Sequence, residues 1–226
     1  MLTDPVTFRR TAAGLLLIVA PLLQAIAVFI DPGTWGDERE AVSFGDNPVL
    51  AQLQSVLYHW SWIFMALAAL GLVHLTRHRA TVFGHIAGAV TVVGYISASA
   101  LLMGDPIEWW LGQRYAPEEA QRITEEMLGL PGVIWGFQMP WMFFAILGLP
   151  LLVVAVWRAG FVSWWVPALV AAGCLLTLPF PYGPITAILW VMAVVGLGWT
   201  GLKILRMGDE AWAAYYAAPA TARVNA

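Results

Sequence analysis

Six stretches of this chain stay apolar for longer than a soluble helix requires. They run from about Thr11 to Ile30, Leu53 to Leu75, Thr81 to Met103, Val133 to Trp157, Phe161 to Leu178 and Pro184 to Leu205. Each holds roughly 18 to 25 residues, or ~27 to 37 Å of helix, enough to cross a ~30 Å hydrocarbon core with some tilt. They are too long for barrel strands, and none alternates with period two. The expected fold is therefore all-α: a polytopic membrane bundle of six transmembrane helices over residues 1–208, with a tail over residues 209–226. Composition agrees. Only 11% of the 226 residues are charged, less than half of the roughly 25% typical of soluble domains. A soluble enzyme, a disordered chain and a disulfide-rich secreted module are excluded on this ground. The net charge of −3 argues against a nucleic-acid partner.

The few charges give an orientation. Arg9, Arg10, Arg77, Arg79, Arg158, Lys203, Arg206 and Arg223 fall on one side of a six-span chain; Arg39, Arg114 and Arg122 fall on the other. The first side is expected to be cytoplasmic, with both termini inside a bacterial cytoplasmic (inner) membrane. Formal charge then divides as +5 inside and −8 outside. Arg9-Arg10, Leu15 to Leu23 and Ala25-Ile26-Ala27 have the form of a signal peptide's three regions; the segment is read as a retained helix. The single cysteine, Cys174, is read as a small packing residue, and Gly84-x-x-x-Gly88 as a helix-packing face.

Both long loops lie on the acidic side. Asp31 to Pro48 is rich in Gly, Pro and acid. Within Gly104 to Gly132, Ala116-Pro117-Glu118-Glu119 has the form of a helix start. Ala120, Ile123, Met127 and Leu130 follow at helical spacing, and Glu118–Arg122 and Arg122–Glu126 are expected as ion pairs. The reading is a short amphipathic helix on the outer leaflet, preceded by the interfacial anchor Ile107-Glu108-Trp109-Trp110-Leu111.

Polar residues between membrane helices are costly and are the default place to look for function. Gln52, Ser55, His59 and Trp62 share one face of the second span. Gln24, Ser55, His59, Tyr95, Ser99, Gln138 and Thr177 all project onto the outer half of the bilayer. This asymmetry predicts an outward-opening, polar-lined pocket with aromatic walls. Its candidate lining is Gln24, Ser55, Trp62, Tyr95, Ser99, Trp135, Gln138 and Tyr182. His59 is a candidate acid, base or relay. Asp31, Asp105 and Glu108 are candidate acids, whose protons an apolar surround would retain. His74 and His85 sit on adjacent spans and invite a haem reading. One histidine pair beside the basic turn Arg77-His78-Arg79 is more simply an interfacial cluster, so no cofactor and no metal are expected.

The architecture resembles the small multi-span membrane proteins of high-GC actinobacteria. Pro106-Ile107-Glu108 resembles the first three positions of the Pro-x-Glu-Glu/Asp motif of membrane-embedded carotenoid and terpene cyclases of the lycopene-cyclase type. Trp109 stands where those enzymes carry the second acid. That resemblance implies carbocation chemistry, which aromatic faces stabilise. Three functional expectations follow. The first is a bundle that binds or handles a lipid or isoprenoid. The second is a cyclase- or isomerase-like enzyme using His59 or Glu108. The third is an accessory or immunity-type subunit acting on a membrane-protein partner through its outer loops, or a homo-oligomer.

Overall fold

The computed structural model describes residues 4–35, 44–179 and 183–215. These are mostly helical, joined by short turns, with no strand among them. The helices are α1 (Pro5–Ile30), α2 (Pro48–Leu75), α3 (Thr81–Leu101), α4 (Gly104–Gly112), α5 (Pro117–Leu128), α6 (Pro131–Arg158), α7 (Trp165–Leu175), α8 (Pro184–Leu205) and the short α9 (Asp209–Ala213). Five of them begin on a proline, whose fixed φ suits the first helical turn and whose missing N–H would be unpaired there anyway. The Asp4 carboxylate caps α1 by accepting the Val6 N–H at 2.7 Å. Helix α1 ends where Pro32 forces Asp31 into extended backbone (φ −64°, ψ 117°).

Helices α1, α2, α3, α6, α7 and α8 form a closed ring. Each packs on its sequence neighbour, and α8 returns to pack along α1. The closing contact is made of glycine. A Cβ on Gly201 would lie 2.5 Å from the Gly14 carbonyl oxygen, and one on Gly14 would lie 2.6 Å from Leu205. The ring's exterior is apolar: Leu15, Leu22, Leu67, Leu70, Ile86, Ile96, Val195 and Trp199 are all exposed. Exposed apolar belts around a small-residue interior belong to a bundle solvated by lipid. Among the described residues, five helices (α1, α2, α3 continued through α4, α6 and α8) are long and apolar enough to cross a membrane.

The fifth expected segment differs. Phe161 to Leu178 reads as one span, but regular helix covers only the 11 residues Trp165–Leu175, ~16 Å. Gly160, in the left-handed region (φ +84°), ends α6, and Phe161 and Val162 turn inward and are buried. The Lys203 ammonium donates to the Phe161 carbonyl at 2.5 Å and lies over its ring. That contact fixes the turn against α8.

Helix α6 is locally wound as a π-helix over Ile134–Gln138 and Pro140–Ala145. Pro140 has no N–H to give the preceding turn, and the Met139 N–H reaches back to the Ile134 carbonyl; inserted residues of this kind widen a helix and often mark functional sites. Gly94 of α3 makes room for it: a Cβ there would collide with the Ala145 backbone.

At the end of the bundle away from this segment, α9 folds back under the ring. Trp212 is buried, its ring stacked on His74 (4.1 Å, 32°), and the His74 Nε2–H donates to the Trp212 carbonyl at 3.0 Å. Arg10 pairs with Asp209 at 2.6 Å. The Thr7 hydroxyl and Arg10 hold the Asp209 carboxyl below its ordinary range. The first part of the expected tail is thus docked. In α5, Arg122 pairs with Glu126 (2.6 Å) and with Glu119 (3.0 Å) rather than Glu118. Gly84 and Gly88 face Thr76 and Val73 at the α2–α3 contact.

The ring closure gives a direct test. Gly201→Leu overpacks the α1–α8 crossing, at about 1–3 kcal/mol, and is expected to lower the thermal midpoint of the detergent-solubilised protein by several degrees. Gly198→Leu, where added carbon meets nothing within 4 Å, is expected to leave it unchanged. Equal effects would contradict the packing described.

Candidate functional site

A cavity of about 470 Å³ lies inside one end of the ring. Its wall draws on the C-terminal part of α1, the N-terminal part of α2, the α3–α4 junction, the π-wound part of α6, the end of α7 and the start of α8. Val28, Ala145 and Cys174 are among its apolar lining. Beyond it the core is filled: Leu17, Leu72, Leu149, Leu152, Val153 and Leu197 are fully buried. A drug-sized ligand needs a pocket of about 300–1,000 Å³, so the volume is sufficient for a small molecule or an acyl or prenyl segment.

Three carboxyl groups line it: Asp31, Asp105 and Glu108. Asp105 and Glu108 are one turn apart on α4, so both point to the same side, while Trp110 stays exposed under the Arg114 guanidinium (4.7 Å). Glu108 is only 5% exposed. The Asp105 carboxylate accepts from the Ser55 hydroxyl at 2.5 Å and from the Gln54 amide nitrogen at 3.3 Å. The same Gln54 nitrogen donates to the Ser55 oxygen at 3.1 Å. Donation to a carboxylate fixes which end of the Gln54 amide is nitrogen. Its other end, Oε1, is buried with no hydrogen-bond partner among the described residues.

Asp31 sits just past α1. It accepts the Gly33 N–H at 2.9 Å and the Tyr58 hydroxyl at 3.3 Å. Burial nevertheless raises its pKa above the ordinary carboxylate value, outweighing the hydrogen bonds from Gly33, Tyr58 and Thr34. Deeper in, Gln24 Oε1 accepts from the Trp62 indole at 2.6 Å and the Ser61 hydroxyl at 3.2 Å. Tyr58 stacks on Trp62 (5.5 Å), and Trp62 tilts toward Trp141 (6.4 Å). The Gln138 amide crosses to the Leu128 carbonyl at 3.1 Å, tying α6 to the end of α5.

Of the residues singled out in the sequence, Asp31, Asp105, Glu108, Gln24, Trp62, Tyr95 and Gln138 line the cavity. Ser55 reaches it through Asp105. His59 does not line it; its Nδ1 is hydrogen-bonded to Ser99 Oγ at 2.9 Å between α2 and α3. Trp135 is 72% exposed on the outside of α6, and Gln52 is also exposed. Tyr182 lies outside the described residues. His74 and His85 do not converge. His74 is buried under Trp212, while His85 is exposed and bonded to its own helix at the Thr81 carbonyl. Among the described residues no group of three His, Cys, Asp or Glu is placed to hold a metal.

Gln54, Tyr58 and Trp141 escaped the sequence reading. The inner face of α2 carries Gln54, Ser55, Tyr58, Ser61, Trp62 and Met65, so Ser55 and Trp62 of the expected face belong to it, while Gln52 is exposed and His59 turns to Ser99. Gln54 and Tyr58 at i, i+4 spacing were the available signal. No family model, curated protein or solved structure matches the chain.

The Asp31 environment has a pH signature. The folded protein holds the Asp31 proton more tightly than the unfolded chain. The stability this confers is present below the ordinary carboxylate pKa and is lost as pH rises through the raised native value. Asp31→Asn, neutral throughout, lacks this loss. Its thermal midpoint is therefore expected to improve relative to wild type as pH rises above about 4, the ordinary carboxylate value. A difference that does not change with pH would contradict the assignment.

Proposed function

We propose that this chain is an integral membrane protein that binds a lipophilic ligand in the end cavity. One observation carries the reading: a bundle with a lipid-compatible exterior encloses, at one end, a cavity that combines aromatic walls with a small set of converging polar groups. That mixture is the ordinary lining of a small-molecule site. A lipid or an isoprenoid supplies the long apolar body, and its polar end meets Asp31, Asp105 and Glu108.

In this reading α7 is the sixth crossing, completed at both ends by the turns that flank it. Both termini are cytoplasmic, and the cavity opens to the outer leaflet of a bacterial inner membrane. The charge partition supports that orientation. Helix α5, with its exposed acids and its small apolar contact of Ala120 and Ile123 with Leu111, lies over the outer surface beside the cavity mouth. In a Cys174→Ala background, a single cysteine introduced at Gln113 is expected to react with an impermeant maleimide on intact cells, and one at His78 only after lysis. The reverse pattern would overturn the orientation.

The function is tested by what the protein retains. Purified in a mild neutral detergent, the wild type is expected to carry a lipophilic adduct by native mass spectrometry. Thr177→Phe, which puts a ring into the cavity, is expected to lose it while keeping its helical circular dichroism. An adduct unaffected by Thr177→Phe, or none in the wild type under conditions that preserve the fold, would contradict the reading.

A further inference from the structure

Deeper than its acids, the cavity wall carries two donors that the fold leaves unused. Gln24 is 5% exposed and Tyr95 is 4% exposed, and both line the cavity. Gln24 stands six residues before the end of α1, and Tyr95 six residues before the end of α3. Each therefore lies about 9 Å inside its helix end. The partners of Gln24 orient its amide. An indole N–H can only donate, so the Gln24 atom that Trp62 meets at 2.6 Å is Oε1, and the Ser61 hydroxyl donates to the same oxygen at 3.2 Å. The other end is then Nε2, which has no hydrogen-bond partner among the described residues. The Tyr95 hydroxyl has none either. Neither atom is sealed in the packed interior as Gln54 Oε1 is; both open on the cavity they line. Donors in such surroundings are costly to leave without an acceptor. The Gln138 amide, by contrast, is already spent on the Leu128 carbonyl.

We infer that the ligand is a neutral lipophile oxygenated in two places: besides the polar end toward Asp31, Asp105 and Glu108, it carries a ketone carbonyl at its inner end that accepts from Gln24 Nε2 and the Tyr95 hydroxyl. The inference rests on the ligand-binding reading above and narrows its ligand class. A carbonyl oxygen has two lone pairs and no hydrogen to place, so it serves both donors. A hydroxyl that accepts from both leaves its own hydrogen unpaired, and one that donates to Tyr95 leaves the phenol hydrogen unpaired. A carboxylate accepts, but no Lys, Arg or His stands among the described lining residues to balance it. Beyond the two donors the bundle is packed. Leu17, two turns deeper than Gln24 on α1, and Leu149, one turn deeper than Ala145 on α6, are fully buried. The carbonyl therefore belongs at the ligand's inner terminus, as in a methyl ketone, rather than at a mid-chain ester. Asp31 is seven residues beyond Gln24, which separates the two oxygens of the ligand by ~10 Å.

The experiment is a native mass spectrometry titration of the full chain in neutral maltoside detergent with three probes of one chain length: dodecanol, the ω-hydroxy methyl ketone, and the diol in which a hydroxyl replaces that ketone. The hydroxyketone is expected to half-saturate at a concentration about tenfold lower than dodecanol, the ratio that two hydrogen bonds from neutral donors supply. The diol is expected to fall between them. Tyr95→Phe, which removes the hydroxyl and keeps the ring, is expected to weaken the hydroxyketone about threefold. Adding Gln24→Met is expected to bring it to the level of dodecanol. Dodecanol binding is expected to be the same in Tyr95→Phe as in wild type, which shows that the cavity is intact. In the infrared, the carbonyl stretch of the bound hydroxyketone is expected at lower wavenumber than in empty micelles, and to move back up in Tyr95→Phe. Equal binding of the hydroxyketone and dodecanol, or of the hydroxyketone and the diol, overturns the inference and leaves lipophile binding standing. So does a ketone preference that survives both substitutions, or a carbonyl band that Tyr95→Phe does not move. Absence of saturable binding by all three probes overturns the ligand-binding reading and this inference together.

Discussion

The architecture depends on the contact between α1 and α8. These helices are almost at opposite ends of the chain, and they meet where Gly14 and Gly201 leave no room for a Cβ. Lipid offers helices no hydrophobic reason to associate, so close backbone approach and its dispersion energy must hold them together. Closing the ring at this crossing makes the bundle a container rather than a fan. The Arg10–Asp209 pair and the Thr7–Asp209 hydrogen bond reinforce the same seam at the end away from the cavity. The buried Trp212 covers that end beneath His74.

The two ends of the ring then follow different rules. One is packed with buried Leu, Val and Ala side chains. At the other, polar side chains replace aliphatic ones and the helices do not close completely. Pro140 is central to the difference. By denying the α6 backbone one donor it drives the helix into π winding, which shifts Gln138, Trp141, Met142 and Ala145 onto the cavity wall. Gly94 allows that widened turn to approach α3. Packing and polarity thus assign the same end of the molecule to the proposed ligand.

Much of this was legible in the sequence. Apolar run length locates the long helices, because bilayer thickness dictates it. Pro117 and the acids after it mark the start of α5. The clustering of polar residues toward one end of the spans anticipates where the cavity lies, and Asp31, Asp105 and Glu108 were found by their position at helix ends. Other features depend on information that spacing does not carry. Gln52 and Gln54 differ by 200° around a helix, and hydropathy alone does not say which faces the ring when both neighbours are apolar. His59 shares the polar depth but points to Ser99 in the α2–α3 seam. Trp135 shares the depth of Gln138 yet faces outward. The length of α7 is set by Gly160 and by the inward turn of Phe161, which an apolar run conceals.

The central claim is that the end cavity is a ligand-binding site. A density map of the protein in a lipid nanodisc tests it most directly. The account predicts elongated non-protein density along Trp62 and Trp141, with its polar end toward Asp31, Asp105 and Glu108. A cavity collapsed by side-chain rearrangement, with no density between α2, α4 and α6, would contradict it.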